Sequence, residues 1–112
     1  MNLLIALAAL SGACAVAAGA FGAHGASGQG AEWLRLGAQY QLVHVVAALV
    51  AAQMGARGPG WLLLAGAAIF AGTLYLMALG LPRWLGAITP IGGTLLIAGW
   101  LWWTFVAARG GR

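Results

Sequence analysis

Charge is what this chain has least of. Its 112 residues include one Glu, five Arg and neither Asp nor Lys. That makes 5% charged, where an ordinary soluble domain carries about a quarter. Too few charges are present to clothe a folded surface in water, and with 63% hydrophobic residues the solvent the chain calls for is lipid. Arg35, Arg57, Arg83, Arg109 and Arg112 are scattered. A nucleic-acid surface needs clustered charge, so no nucleic-acid partner is expected. The single Cys14 excludes an intramolecular disulfide and any multi-cysteine metal site within one chain, and it reads as a small packing residue of the first apolar run. With Glu32 as the lone carboxylate and no HExxH, GxSxG or Ser/Lys pattern, no nucleophile and base are visible, and no enzyme is expected.

What is present is length without charge. Four stretches lie between the charged residues: Met1 to Ala31, Leu36 to Ala56, Gly58 to Pro82 and Trp84 to Ala108. Each holds the roughly 20 residues that cross a hydrocarbon core as a helix. The expectation is an all-α integral membrane bundle of four transmembrane helices in a single domain, with spans 3–21, 32–54, 60–81 and 84–107. A Gly-rich segment from Gly22 to Gly30 joins the first two, and short turns join the rest. Leu10 to Cys14 has the look of a lipoprotein cleavage box, but no Lys or Arg precedes it as a cleavable signal requires, so the first segment reads as a retained helix. Pro59 and Pro82 fall where helices begin or end, whereas Pro90 lies inside the fourth span and predicts a kink. Arg57, Arg109 and Arg112 share one end with both termini, against Arg35 and Arg83 at the other, and the positive-inside rule then favours cytoplasmic termini. Trp61, Trp102 and Trp103 make one aromatic belt, Trp33 and Trp84 the other. Small residues recur at helical spacing as Ser11, Ala15, Gly19 and as Ala68, Gly72, rows that let helices approach closely in lipid.

Polar side chains inside such spans need partners or a wet cavity, which marks them as site candidates. Tyr40 lies about 10 Å and His44 about 16 Å below Trp33 along the second helix. Tyr75 is about 9 Å from the same end of the third span, and Thr89 about 8 Å from Trp84 on the fourth. His24 and its glycines cap that end. On a helical wheel Tyr40, Gln41 and His44 share an arc of about 100°, apart from Glu32, Arg35 and Gln39. The ligand-binding candidates are therefore Tyr40, Gln41, His44, His24, Tyr75 and Thr89, around an outer-half cavity floored by His44. The alternative is that Gln41 and His44 only hydrogen-bond neighbouring helices. His24 and His44 raise the thought of a metal or haem, but they stand at different depths, so neither metal nor cofactor is expected. The glycines around His24 are no phosphate loop, since no Lys follows in the required spacing; they would permit a partly re-entrant segment.

Four motifs, GAFGAHG at Gly19 to Gly25, YQLVH at Tyr40 to His44, GTLY at Gly72 to Tyr75 and RWLGAITPIGG at Arg83 to Gly93, the last followed by Gly99 and Trp100, resemble the DUF423 family over nearly the whole chain. That resemblance implies a small multi-pass protein of the bacterial cytoplasmic membrane and carries no catalytic residue over.

Two functions compete. The first is a non-enzymatic bundle, homo-oligomeric, that binds a lipid, a small ligand or a partner through its polar pocket. The second is a proton-responsive transporter or channel subunit working through His44. Length and span number are similar to those of small multidrug-resistance transporters, but those rely on a Glu in the first span, where this chain has no acid.

Overall fold

The computed structural model describes residues 2–110, and the chain is helical along most of that length. Helix α1 runs Leu3–His24, α2 Gly28–Gln53, α3 Arg57–Ala78 and α4 Thr89–Ala108, with a 3-10 segment Arg83–Ala87 ahead of α4. All four stretches are long and apolar enough to cross a membrane. Arg112, counted above toward the orientation, lies outside the described residues.

Glycine closes two of the three connections. At the end of α2, Gly55 takes a φ of 81°, a left-handed conformation costly for residues with a Cβ. Its N–H reaches Ala52 O and that of Ala56 reaches Ala51 O at 2.8 Å, so two carbonyls of the last turn are satisfied by backbone. Gly80 repeats the arrangement after α3, at φ 101°, with Leu81 N donating to Leu76 O. Both turns therefore reverse the chain while backbone N–H groups meet carbonyls of the last helical turn.

Helices α2 and α3 form the centre. α1 lies mainly along α2 and α4 along α3, in a body of 46 × 27 × 20 Å. Half of the spanning window of α2 and 44% of that of α3 are buried, against 17% for each outer helix. The interior is built of small residues such as Ala48, Ala67 and Ala71, together with Leu4, Leu63 and Val45. Leu10, Val16, Ile97, Leu101 and Phe105 are exposed. Alanine inside and leucine outside is the wrong way round for water; in lipid it is favourable, because close backbone approach rather than apolar burial drives helix association.

The closest approach is between α3 and α4. A Cβ on Gly92 would press on the backbone nitrogen of Phe70 and stand 2.8 Å from Gly66 O. From the other helix, a Cβ on Gly66 would meet Gly92 O at 3.0 Å.

Several expectations need correction. The Gly-rich segment keeps its place between α1 and α2, but only Gly25, Ala26 and Ser27 lie outside the helices, and it does not re-enter. Gly22 serves contact instead, since a Cβ there would stand 3.0 Å from that of Leu34. Pro90 does not kink a continuous fourth span, because it sits in the first turn of α4. There its missing N–H would have had no helical partner anyway. Ala15 is buried and Gly19 meets Ala38, so the row on α1 is a contact. The row on α3 is not, since a Cβ on Gly72 would touch nothing within 4 Å and Ala68 is exposed. Cys14 is exposed too, rather than packed.

Candidate functional site

Gly37 decides how the polar arc of α2 is used. On the helical wheel it falls between Tyr40 and Gln41. Having no side chain, it takes α3 against its face, where a Cβ would come within 2.7 Å of Tyr75 Cε1 and 3.4 Å of Ala71 Cα. Helix α3 therefore runs down the middle of the arc and divides it. Gln41 is left on the α1 side, Tyr40 and His44 on the α4 side.

On the α1 side the polar groups satisfy one another. Gln41 is buried, its Nε2 donates to Ser11 Oγ of α1 at 2.7 Å, and its Oε1 accepts from the Tyr75 hydroxyl of α3 at 2.6 Å. One side chain thus joins three helices. Outside it lies an open groove of about 390 Å³ between α1 and α3, walled by Leu7, Leu10, Cys14, Trp61 and Leu64, with Ser11 and Gln41 at its base.

On the α4 side the arrangement differs. The His44 ring is buried, and its Nδ1 lies 2.6 Å from the carbonyl oxygen of Tyr40 one turn earlier. A carbonyl only accepts, so Nδ1 is the protonated nitrogen. Nε2 has no hydrogen-bond partner among the described residues, yet no buried polar side-chain atom among them is sealed off unpaired. Nε2 is therefore accessible. The ring lines an open groove of about 410 Å³ with Tyr40, Phe70, Pro90, Gly93 and Trp100. The Tyr40 ring lies 4.7 Å from that of Phe70, and Trp100 meets His44 edge-on at 5.8 Å.

The six predicted residues do not make one cavity. Tyr40 and His44 share the α4-side groove, Gln41 and Tyr75 the α1-side bond pair. Thr89 pins the start of α4 to α3 through Thr73, with the two hydroxyl oxygens 2.6 Å apart. His24 is exposed in the last turn of α1 and lines neither groove. Because α2 begins at Gly28 rather than Glu32, Gln41 stands near its midpoint and His44 about 5 Å beyond it, further along the helix than a start at Glu32 implies. Ser11, Phe70 and Trp100 belong to these arrangements and were not among the candidates. Ser11 carried a signal, as the one hydroxyl in its small-residue row, and Trp100 one as part of a family motif; Phe70 carried none among so many apolar neighbours. No three of His, Cys, Asp and Glu converge as metal ligands among the described residues.

A sequence profile described as "Protein of unknown function (DUF423)" matches residues 18–93. A UPF0382 membrane protein of Staphylococcus aureus is 39% identical over 90% of this chain and 91% of its own length. One from Staphylococcus haemolyticus is 64% identical over 38% of this chain, a match that spans 34% of the relative. The UPF0382 inner membrane protein YgdD of Escherichia coli is 38% identical over 61% of this chain and 57% of its own. No solved structure matches. Four apolar helices, the family profile and near full-length similarity to a named membrane protein agree, and the chain belongs to the DUF423 family as a multi-pass membrane protein of the inner-membrane kind.

Proposed function

We propose that the protein is a non-enzymatic binding protein that takes a small membrane-dissolved molecule into the α2–α4 groove. The observation that carries this reading is the half-used imidazole of His44. Its ring is buried, one nitrogen is committed to the Tyr40 carbonyl, and the other opens on a cleft with aromatic walls. In hydrocarbon a polar atom without a partner is costly, and a ligand supplies the partner that lipid tails do not. Clefts of a few hundred Å³ with mostly apolar walls and few polar groups are the usual form of small-molecule sites.

A proton-responsive transporter subunit is the second reading, resting on the same accessible nitrogen. It is weaker because no carboxylate joins His44: Glu32, the only one, is exposed and pairs with Arg35 at 3.3 Å one turn along α2. Proton-driven flux in liposomes that vanishes in His44→Ala would favour it over the binding reading.

Native mass spectrometry of the protein extracted in mild detergent tests the binding reading and reports the subunit number of any homo-oligomer. A bound small molecule is expected on the unaltered chain and not on Gly93→Leu. A Cβ at Gly93 meets the Phe70 ring at an ordinary 3.8 Å, so the added side chain fills the groove without displacing backbone. A molecule retained equally by both proteins, or none on either, sinks the reading.

A further inference from the structure

The hydrogen-bonding capacity of the α2–α4 groove favours one class of ligand. With Nδ1 holding the proton for the Tyr40 carbonyl, Nε2 of the neutral ring only accepts. Thr94, also in the lining, already gives its hydroxyl proton to Pro90 O at 2.8 Å. No Arg or Glu lines the groove, so an anionic or cationic head group would find no counter-charge there. The Tyr40 hydroxyl and the Trp100 indole N–H in the lining can donate to a ketone or an ether, but such a ligand, having only acceptors, leaves His44 Nε2 unmet. A hydroxyl brings the matching donor, and at this depth water does not compete for it. The walls add a second preference. Tyr40 and Phe70 lie 4.7 Å apart, and Trp100 stands edge-on to His44, so the groove presents aromatic surfaces that suit offset or edge contact with another ring.

We propose that this groove, taken as the ligand site of the preceding section, selects a neutral aromatic alcohol dissolved in the bilayer, a ring of the phenol or hydroquinone type. The ring packs on the Tyr40, Phe70 and Trp100 wall and the hydroxyl donates to His44 Nε2.

Three probes test this on the full chain in nanodiscs: a brominated long-chain 4-alkylphenol, its methyl ether, and a brominated straight-chain alcohol of matched length. Bromine quenches nearby tryptophan, and comparison with Trp100→Phe isolates the contribution from the groove. The phenol should bind about 5- to 10-fold tighter than its ether, the effect of one net hydrogen bond, and tighter than the straight-chain alcohol. In His44→Phe, which keeps a ring and loses the acceptor, phenol and ether should bind alike. Should that variant not fold, the phenol–ether pair on the unaltered protein still decides. Equal binding of phenol and ether overturns the hydroxyl preference, and equal binding of phenol and straight-chain alcohol overturns the ring preference, while the groove stands as a site in both cases. Binding of none of the three overturns the ligand class, and the co-purification result then judges the groove on its own.

Discussion

On the α1 side of the central helix pair, Gln41 engages both ends of its amide, with Ser11 on one helix and Tyr75 on another. On the α4 side, less than one turn away on the same helix, His44 engages one nitrogen and leaves the other open. Both side chains are buried and both belong to lipid-embedded spans, so polarity and depth do not separate them. Remaining capacity does. A glutamine between two hydroxyl-bearing helices has become part of what holds the fold. A histidine beside aromatic walls has kept an acceptor that nothing among the described residues meets.

The comparison can be broken most forcefully where α3 and α4 touch. Gly92→Ala forces a Cβ against the backbone of Phe70, which has no rotamer to yield, so the helices must part. The expected loss is about 2–3 kcal/mol, the upper range of overpacking, read as a lowered unfolding midpoint on titration with a denaturing detergent. Because the α4-side groove is walled by α2, α3 and α4, its ligand should be lost, while the α1–α2 contact at Gly19 and Ala38 stays closed. A variant of unchanged stability would mean the α3–α4 backbone contact is looser than described.

A smaller effect sharpens the same comparison from the other side. Gln41→Leu removes the link among α1, α2 and α3 and leaves the Ser11 and Tyr75 hydroxyls without it. Interhelical hydrogen bonds in membranes contribute about 1–2 kcal/mol at most, and that is the expected loss of stability. Ligand binding in the α4-side groove should be unchanged. Loss of binding would show that the two sides act as one site after all.

The four spans are legible in the sequence, because charges and prolines punctuate apolar runs of membrane-crossing length and lipid leaves few alternatives to helices. The fourth helix was legible only in part. Whether Pro90 kinks a helix or starts one depends on the residues before it, and Arg83–Ala87 winds as a tighter 3-10 turn that composition does not announce. For the site, Tyr40, Gln41 and His44 could be picked out as polar, and their common arc was real. What no wheel could supply is where the neighbouring helix lies against it. An arc of about 100° is wide enough for one packed helix to divide, and Gly37, silent in a chain with 19 glycines, is the position that lets α3 do so. Phe70 was invisible for a related reason, and Trp100 stood out only as part of a family motif and not as a wall, since an aromatic wall made from apolar residues has no contrast in an apolar sequence.

Gly72→Ala probes the smallest difference. Its position was read as part of a close-packed small-residue row, but a Cβ there meets nothing within 4 Å, unlike Gly92 twenty residues further on. Gly72 lies inside α3 with ordinary negative φ, so a methyl group adds no backbone strain and removes freedom from the unfolded chain. The expected result is a gain of about 0.5–1 kcal/mol, seen as a raised unfolding midpoint in the same titration, with ligand binding unaltered. A loss of stability there would place a helix, from this chain or a second copy, against a surface that the described residues leave open to lipid. The α1 side would then be an interface rather than an outer wall.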